Sequence, residues 1–185
     1  MSFTAPVPIA APIDELRAWL RAPAGDASPA DSADASALNA ALAAASEQVE
    51  AVTGLALVQR TITETRGVTG GWQRLDARPV VAITLVERVR GDGSTEPIPS
   101  ASYAVEIDDR RAGWLRVPDT SVAGRVRVTL LAGLAESAAD LPAALRQAVV
   151  LQAAALLARR NGAEGSSALD PQAEALLAPW RGVRL

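Results

Sequence analysis

Residues 141–162 read LPAALRQAVVLQAAALLARRNG, and no other stretch limits the possible folds as tightly. Pro142 in the first turn, with Asp140 just upstream, marks a helix start, because proline's missing N–H is not needed there. Asn161-Gly162 marks the end. From Ala148 to Ala158 the only strongly polar side chain is Gln152, so this helix must be covered on nearly every side. A bilayer is not the cover, since a spanning helix needs ~20 apolar residues and Arg146 and Arg159-Arg160 bracket the run too closely. It is therefore expected to be the central helix of a protein core, with Leu145, Val149 and Leu156 on one face and Val150 and Leu157 widening it.

The chain is 185 residues long, enough for one sizeable core. Its N-terminal segment MSFTAPVPIAAPI lacks a basic start and carries early prolines, which is not the pattern of a secretory leader; the expectation is a soluble protein. There is no cysteine and no histidine. Disulfides, thiolate chemistry, the commonest general base and the commonest transition-metal ligand are thereby excluded. With 18 basic residues, all arginine, against 21 acids and a net charge of -3, the chain is also not built to coat nucleic acid nonspecifically.

Periodicity divides the rest. In PIDELRAWLR, Ile13, Leu16 and Leu20 form one helical face. The small, acidic and breaker-rich run 22–36 is expected to be a loop. A second helix is expected from a cap at Asp34 or Ser36 to Thr53, with Leu38, Leu42, Ala45, Val49 and Val52 as its apolar stripe and Gly54 as its stop. Its alanines suit close packing on another helix. The period then shifts to that of strands: 81–90, 103–107, 114–117 and 125–131 are the clearest, with a hairpin turning at Asp92-Gly93. A short helix over 171–178, capped by Asp170, precedes the closing PWRGVRL. The expected fold is α+β: a small bundle of about four helices (helices 1 and 2 in 12–54, the core helix at 140–161, a flexible link with a short helix in 162–185) and an antiparallel β insertion at 55–131. The opening helix is expected against the second and the short last one.

No constellation of side chains spells a reaction. Glu106, Asp108 and Asp109 offer oxygen ligands for a hard cation, but a solvated turn between strands explains the same letters. Arg88, Arg90, Arg110, Arg111, Arg125 and Arg127 concentrate in the β region, with alternation placing Arg125 and Arg127 opposite Val126 and Val128. They make either an ordinary polar sheet face or a surface that meets an acidic partner or DNA phosphates. Among four tryptophans, Trp19, Trp72 and Trp114 are expected in the core. Trp180, between Pro179 and Arg181 beyond the last helix, has the character of an interface anchor.

The order of LRAWLR, LNAALAAASEQVEAVTGLALVQRTITET, LDARPVVAITLVERVRGDGSTEPIPSASYAVE, GRVRVTLLAGLAESAADLPAALRQAVVLQAAALLARRNG and EALLAPWRGVRL resembles the head–tail connector, or adaptor, family of long-tailed phages, prophages and gene transfer agents. The likeness runs through nearly the whole chain. It implies a structural virion protein without catalytic, cofactor or metal sites. It also implies a ring, of twelve copies, between the portal protein and the next tail-completion (stopper) protein, through which DNA passes without sequence-specific binding and with no membrane involved. The protein would reside in the bacterial cytoplasm during assembly and then in the particle neck. Leu176, Leu177, Trp180, Arg181 and Arg184 would form the interface with the portal or a neighbouring subunit, and the six β-region arginines would face the channel or a partner. The competing classes are an oligomeric binding or regulatory module outside any virion and a carboxylate- or metal-dependent enzyme.

Overall fold

Segments of helical period and segments of strand period fold as separate bodies. The structure is a computed structural model that describes residues 6–21, 29–118, 124–160, 162 and 169–181. It is α+β and divides into two compact units, one helical (7–58 with 135–185) and one formed mainly by residues 59–134.

The helical unit contains α1 (Ile13–Leu20), α2 (Pro29–Thr53), α3 (Ala143–Arg160) and α4 (Pro171–Leu177). Leu145 and the unbroken run from Ala148 to Ala153 on α3 are buried, which is what an all-round apolar helix requires. Leu156 and Leu157, expected in the core, are only half-buried, because cover thins toward the C-terminal turns. α3 packs against α2, α1 and α4. The expected seat of α1 on the last helix is thus corrected: its partners are α3 and α2, and Arg146 fixes the first of these by reaching Glu15 at 3.2 Å while donating to the carbonyls of Ala139 and Leu141.

Gln152 is fully buried, and both ends of its amide are used. Its Nε2 donates to Gln48 Oε1 on α2 at 2.6 Å, and its Oε1 accepts from the backbone N–H of Asp170 at 2.8 Å. Asp170 in turn caps α4 by accepting from the N–H groups of Gln172 and Ala173. Ser46, two residues before Gln48 on α2, does similar work toward the N-terminal segment, accepting from Ala10 N–H and donating to Leu42 O. Gly54 ends α2 at φ 67, where a side chain would strain the backbone. The start of α2 differs from expectation: it begins at Pro29, so 29–36 is helix rather than loop, proline being suited to a first turn. Residues 22–28 of that expected loop lie outside the described part.

The β unit contains two antiparallel sheets. Strands β1 (Arg60–Gly67), β7 (Arg125–Ala132), β3 (Val80–Val89) and β4 (Thr95–Pro97) form one in the order β1-β7-β3-β4; β2 (Trp72–Arg74), β6 (Gly113–Arg116) and β5 (Ala104–Ile107) form the other in the order β2-β6-β5. In the larger sheet Ile62, Val126, Val128, Leu130, Ala132, Val80 and Val86 share a buried face. The β3–β4 hairpin turns through Gly93 at φ 85, with Gly93 N–H donating to Arg90 O. Gly113 is where the sheets approach: an added Cβ would stand 3.0 Å from Leu75 Cδ1 and 3.1 Å from Val80 Cγ2. Glu64, buried on β1, accepts from the N–H groups of Asp76 and Ala77 and pairs with Arg66, which also meets Asp76 at 2.7 Å. Burial opposes the Arg66 charge, yet its bonds and proximity to Asp76 and Glu64 outweigh this and raise its pKa.

Replacing Gln152 by Leu keeps the volume but strands the Asp170 N–H and the Gln48 side chain, at a cost of about 1–3 kcal/mol. Urea unfolding should show a lower midpoint with an unchanged slope.

Candidate interaction surfaces

The terminal segment expected to dock on a partner is partly built into its own unit. Leu177 is fully buried, as is Ala173, because α4 lies against α3 and its cap is tied to Gln152. Leu177 therefore needs no partner for its burial, which corrects its place in the expected interface. Leu176 and Trp180 are half-buried, and Arg181 is held to Glu174 at 3.0 Å on the surface. Arg184 lies outside the described residues. Trp180 sits in a 3-10 turn, Ala178–Trp180, continuous with α4.

The other tryptophans also depart from expectation. Trp19 is 49% and Trp72 45% exposed, so neither is a core residue. Trp114 is intermediate, and its indole N–H donates to Asp108 Oδ2 at 3.1 Å. Spacing alone cannot tell an aromatic on the inner face of a three-residue strand from one on the outer face.

The six arginines singled out in the β region do not gather into one patch. Arg127 pairs across strands with Glu87 and Thr65, and Arg125 with Val89 and Gly67, on the side opposite the buried Val126 and Val128. Arg88 is paired with Val126 and Glu96 and so belongs to the other face of the same sheet. Arg90 forms a 2.6 Å ion pair with Glu96 on the exposed hairpin. Arg110 and Arg111 are exposed in the turn between β5 and β6, where Arg111 adopts φ 58.

Asp108, once a conceivable cation ligand, is occupied within that turn. One carboxylate oxygen accepts from the Arg110 and Ala112 N–H groups and the other from Trp114. The Trp114 bond, followed by that from Ala112, holds its pKa below the ordinary aspartate value. Among the described residues no group of three or more acidic side chains could hold a metal ion. No described helix is long and apolar enough to cross a membrane. A shallow groove between α1 and α3 is lined by Glu15, Ala18, Trp19, Ala143, Arg146 and Gln147; its two charged groups are spent on each other.

Neither a protein-family model nor a curated protein matches the chain. Solved structures do. A chain in the neck of an empty gene transfer agent (GTA) particle, computed with C6 symmetry, is 29% identical, with a TM-score of 0.71 over 100% of this chain and 96% of that one. A chain in the virion of a native GTA particle gives 29% and 0.69 over 100% and 96%. One in the neck of a native GTA particle, computed with C12 symmetry, gives 28% and 0.69 over 100% and 97%. This full-length likeness is consistent with the head–tail adaptor family that the sequence resembles.

Two measurements separate packing from docking here. Leu177→Ala should cost about 2–5 kcal/mol in unfolding free energy, whereas Trp180→Ala should cost less than half as much, both read from denaturant melts. The lowered pKa of Asp108 means its contribution to stability is complete above the unfolded aspartate value and is lost as pH falls through the folded one. The gap in thermal midpoint between the wild type and Asp108→Asn should thus be constant from neutrality to about pH 5 and close in more acid solution.

Proposed function

We propose, from the premise of a fold shared end to end with chains of gene transfer agent necks, that this protein is a structural neck protein and serves as the head–tail adaptor of a tailed particle. It forms a ring of twelve copies that takes the portal on one side and the stopper protein on the other and continues the channel for DNA. It assembles in the bacterial cytoplasm and ends in the particle neck. The observation that carries this reading is the coverage: 100% of this chain and 96% of a chain in a GTA neck superpose at 29% identity, so both units are shared, not a common motif. The C6 and C12 symmetries of the two neck structures support a ring whose copy number is a multiple of six.

The absence of histidine and cysteine and the internal engagement of Asp108 and Glu64 support a structural rather than an enzymatic role. Leu176, Trp180, Arg181 and Arg184 remain the proposed contact with the portal or an adjacent subunit, with Arg181 exchanging its Glu174 partner for an acid of the other protein. Arg125 and Arg127, on the outward side of β7, are the proposed channel- or partner-facing bases.

Deletion of the gene in the strain that carries it should leave DNA-filled heads without tails in electron micrographs, and a plasmid-borne copy should restore tailed particles. Normal tailed particles from the deletion strain would refute the adaptor role. Arg125→Ser with Arg127→Ser should change thermal stability by under about 0.5 kcal/mol, as substitutions outside the core do, while reducing tail joining most strongly at low salt, the difference from wild type shrinking as salt screens the charges.

A further inference from the structure

The β3–β4 hairpin carries the chain's one Asp-Gly sequence, Asp92-Gly93, at its tip, and residues 90–94 are all exposed there. Such a pair is chemically labile. The Gly93 nitrogen can attack the side-chain carboxyl carbon of Asp92, forming a C–N bond while the N–H proton and the carboxyl OH leave together as water. Glycine brings no side chain to obstruct the five-membered ring. Water then adds to either carbonyl of the succinimide and opens it, giving back aspartate or giving isoaspartate, in which the main chain runs through the side-chain carbon. The ring closes only from a protonated carboxyl, because a carboxylate repels the nucleophile and has no OH to release. It also needs an amide nitrogen free to give up its proton.

The hairpin withholds both. Asp92 Oδ1 accepts from the Ser94 hydroxyl at 2.6 Å and from the Ser94 N–H at 2.9 Å. These bonds, the hydroxyl's first, hold the Asp92 carboxyl below the ordinary aspartate range, and the charge of Arg90 adds to them. The Gly93 N–H is donated to Arg90 O at 3.0 Å, and Gly93 is held at φ 85. The frame around the tip is tied as well: Arg90 N–H donates to Ser94 O at 2.9 Å, and the Arg90 guanidinium meets Glu96 at 2.6 Å. With the tip exposed, packing does not protect the pair; these bonds do.

We propose that Asp92 is the modification site of this hairpin, converting to isoaspartate, and that Ser94 is the positioning residue that keeps the site closed by holding the Asp92 carboxylate on its hydroxyl. The consequence of opening it reaches past the tip. Isoaspartate adds one carbon to the main chain between residues 92 and 93, so the Gly93–Arg90 and Arg90–Ser94 backbone bonds no longer fit one register. The pairs that follow, Val89 with Thr95 and Arg88 with Glu96, then lose their frame. Arg88 and Arg90, two of the six arginines singled out in the β region, are displaced with it. The inference stands apart from the neck reading.

Full-length protein is aged at physiological temperature and pH and then cut with trypsin. Cleavage after Arg90 and Arg110 releases residues 91–110 as one peptide, which separates position 92 from Asn161-Gly162, another sequence that yields isoaspartate. Isoaspartate at 92 is counted from the backbone fragments that electron-transfer dissociation gives on either side of it. The wild-type chain should isomerise faster in denaturant than folded. Folded Ser94→Ala should isomerise about threefold or more faster than folded wild type, a factor in the range that one hydrogen bond is worth. Ser94→Thr, which keeps a hydroxyl, should match the wild type. All three should share one circular dichroism melt, the position being exposed. A Ser94→Ala rate equal to wild type, a Ser94→Thr rate equal to that of Ser94→Ala, or a folded wild type as fast as the denatured chain would overturn the proposal.

Discussion

One buried amide holds the helical unit to a single arrangement. Gln152 lies in the middle of the most apolar helix of the chain, where an unpaired polar group would cost several kcal/mol on the order of a lost hydrogen bond or more. It is tolerable only because Gln48 and the Asp170 N–H are both in reach. Apolar packing between alanine-rich helices is permissive: α2 and α3 could slide by a turn with little change in buried area. The amide removes that freedom, since a slide breaks the Gln48 bond. It also sets the point at which the chain turns back, because the residue it grips is the cap of α4. The register of α2, the direction of α3 and the seat of α4 thus depend on one side chain.

The β unit solves a comparable problem with charge. Glu64 is buried but fully engaged, its oxygens meeting two backbone N–H groups and one guanidinium. It anchors the segment 76–77 that connects β2 to β3. An apolar side chain there would leave those N–H groups without acceptors, so the cost of burying a carboxylate is offset by the loop it orders. Pairs on the surface, such as Arg90 with Glu96, contribute far less individually because water screens them.

Much of this was legible in the letters where a signal was local and strong. The α+β class, the all-round apolar helix, the Asp92-Gly93 hairpin, the Asp170 cap and the alternation of Arg125 and Arg127 with valines each follow from a period or a cap that spans a few residues. What failed did so for physical reasons. The start of α2 was obscured because Pro29, Asp31 and Ser32 are as common in loops as in a first helical turn. The division of the β region into two sheets was hidden because β2 and β4 are three residues long, too short to display a period. Trp72 was misplaced because hydrophobicity argues for burial while its exposure is decided by which side of a short strand faces inward, and Trp19 because it stands beside the apolar face of α1 that buries Leu16 and not on it. Leu177 was assigned outward because a seven-residue helix after a weak linker gives no sign that Gln152, eighteen residues back, is waiting for its cap.

The chain leaves the helical unit at Val58 and returns at Ala135, and the two residues lie side by side in a parallel bridge, with Ala135 N–H donating to Leu57 O. On the ribosome this arrangement imposes a sequence of events. The strands of the β unit, Arg60 to Ala132, follow one another without interruption and can close as soon as β7 emerges, whereas α1 and α2 must wait, with Leu42, Val49 and Gln48 uncovered, for α3 to be made. The late unit is completed by the early one's closure, which delivers Ala135 to within reach of Val58 and shortens the loop that α3 must close from some eighty residues to a few, lowering the entropic cost of the final step.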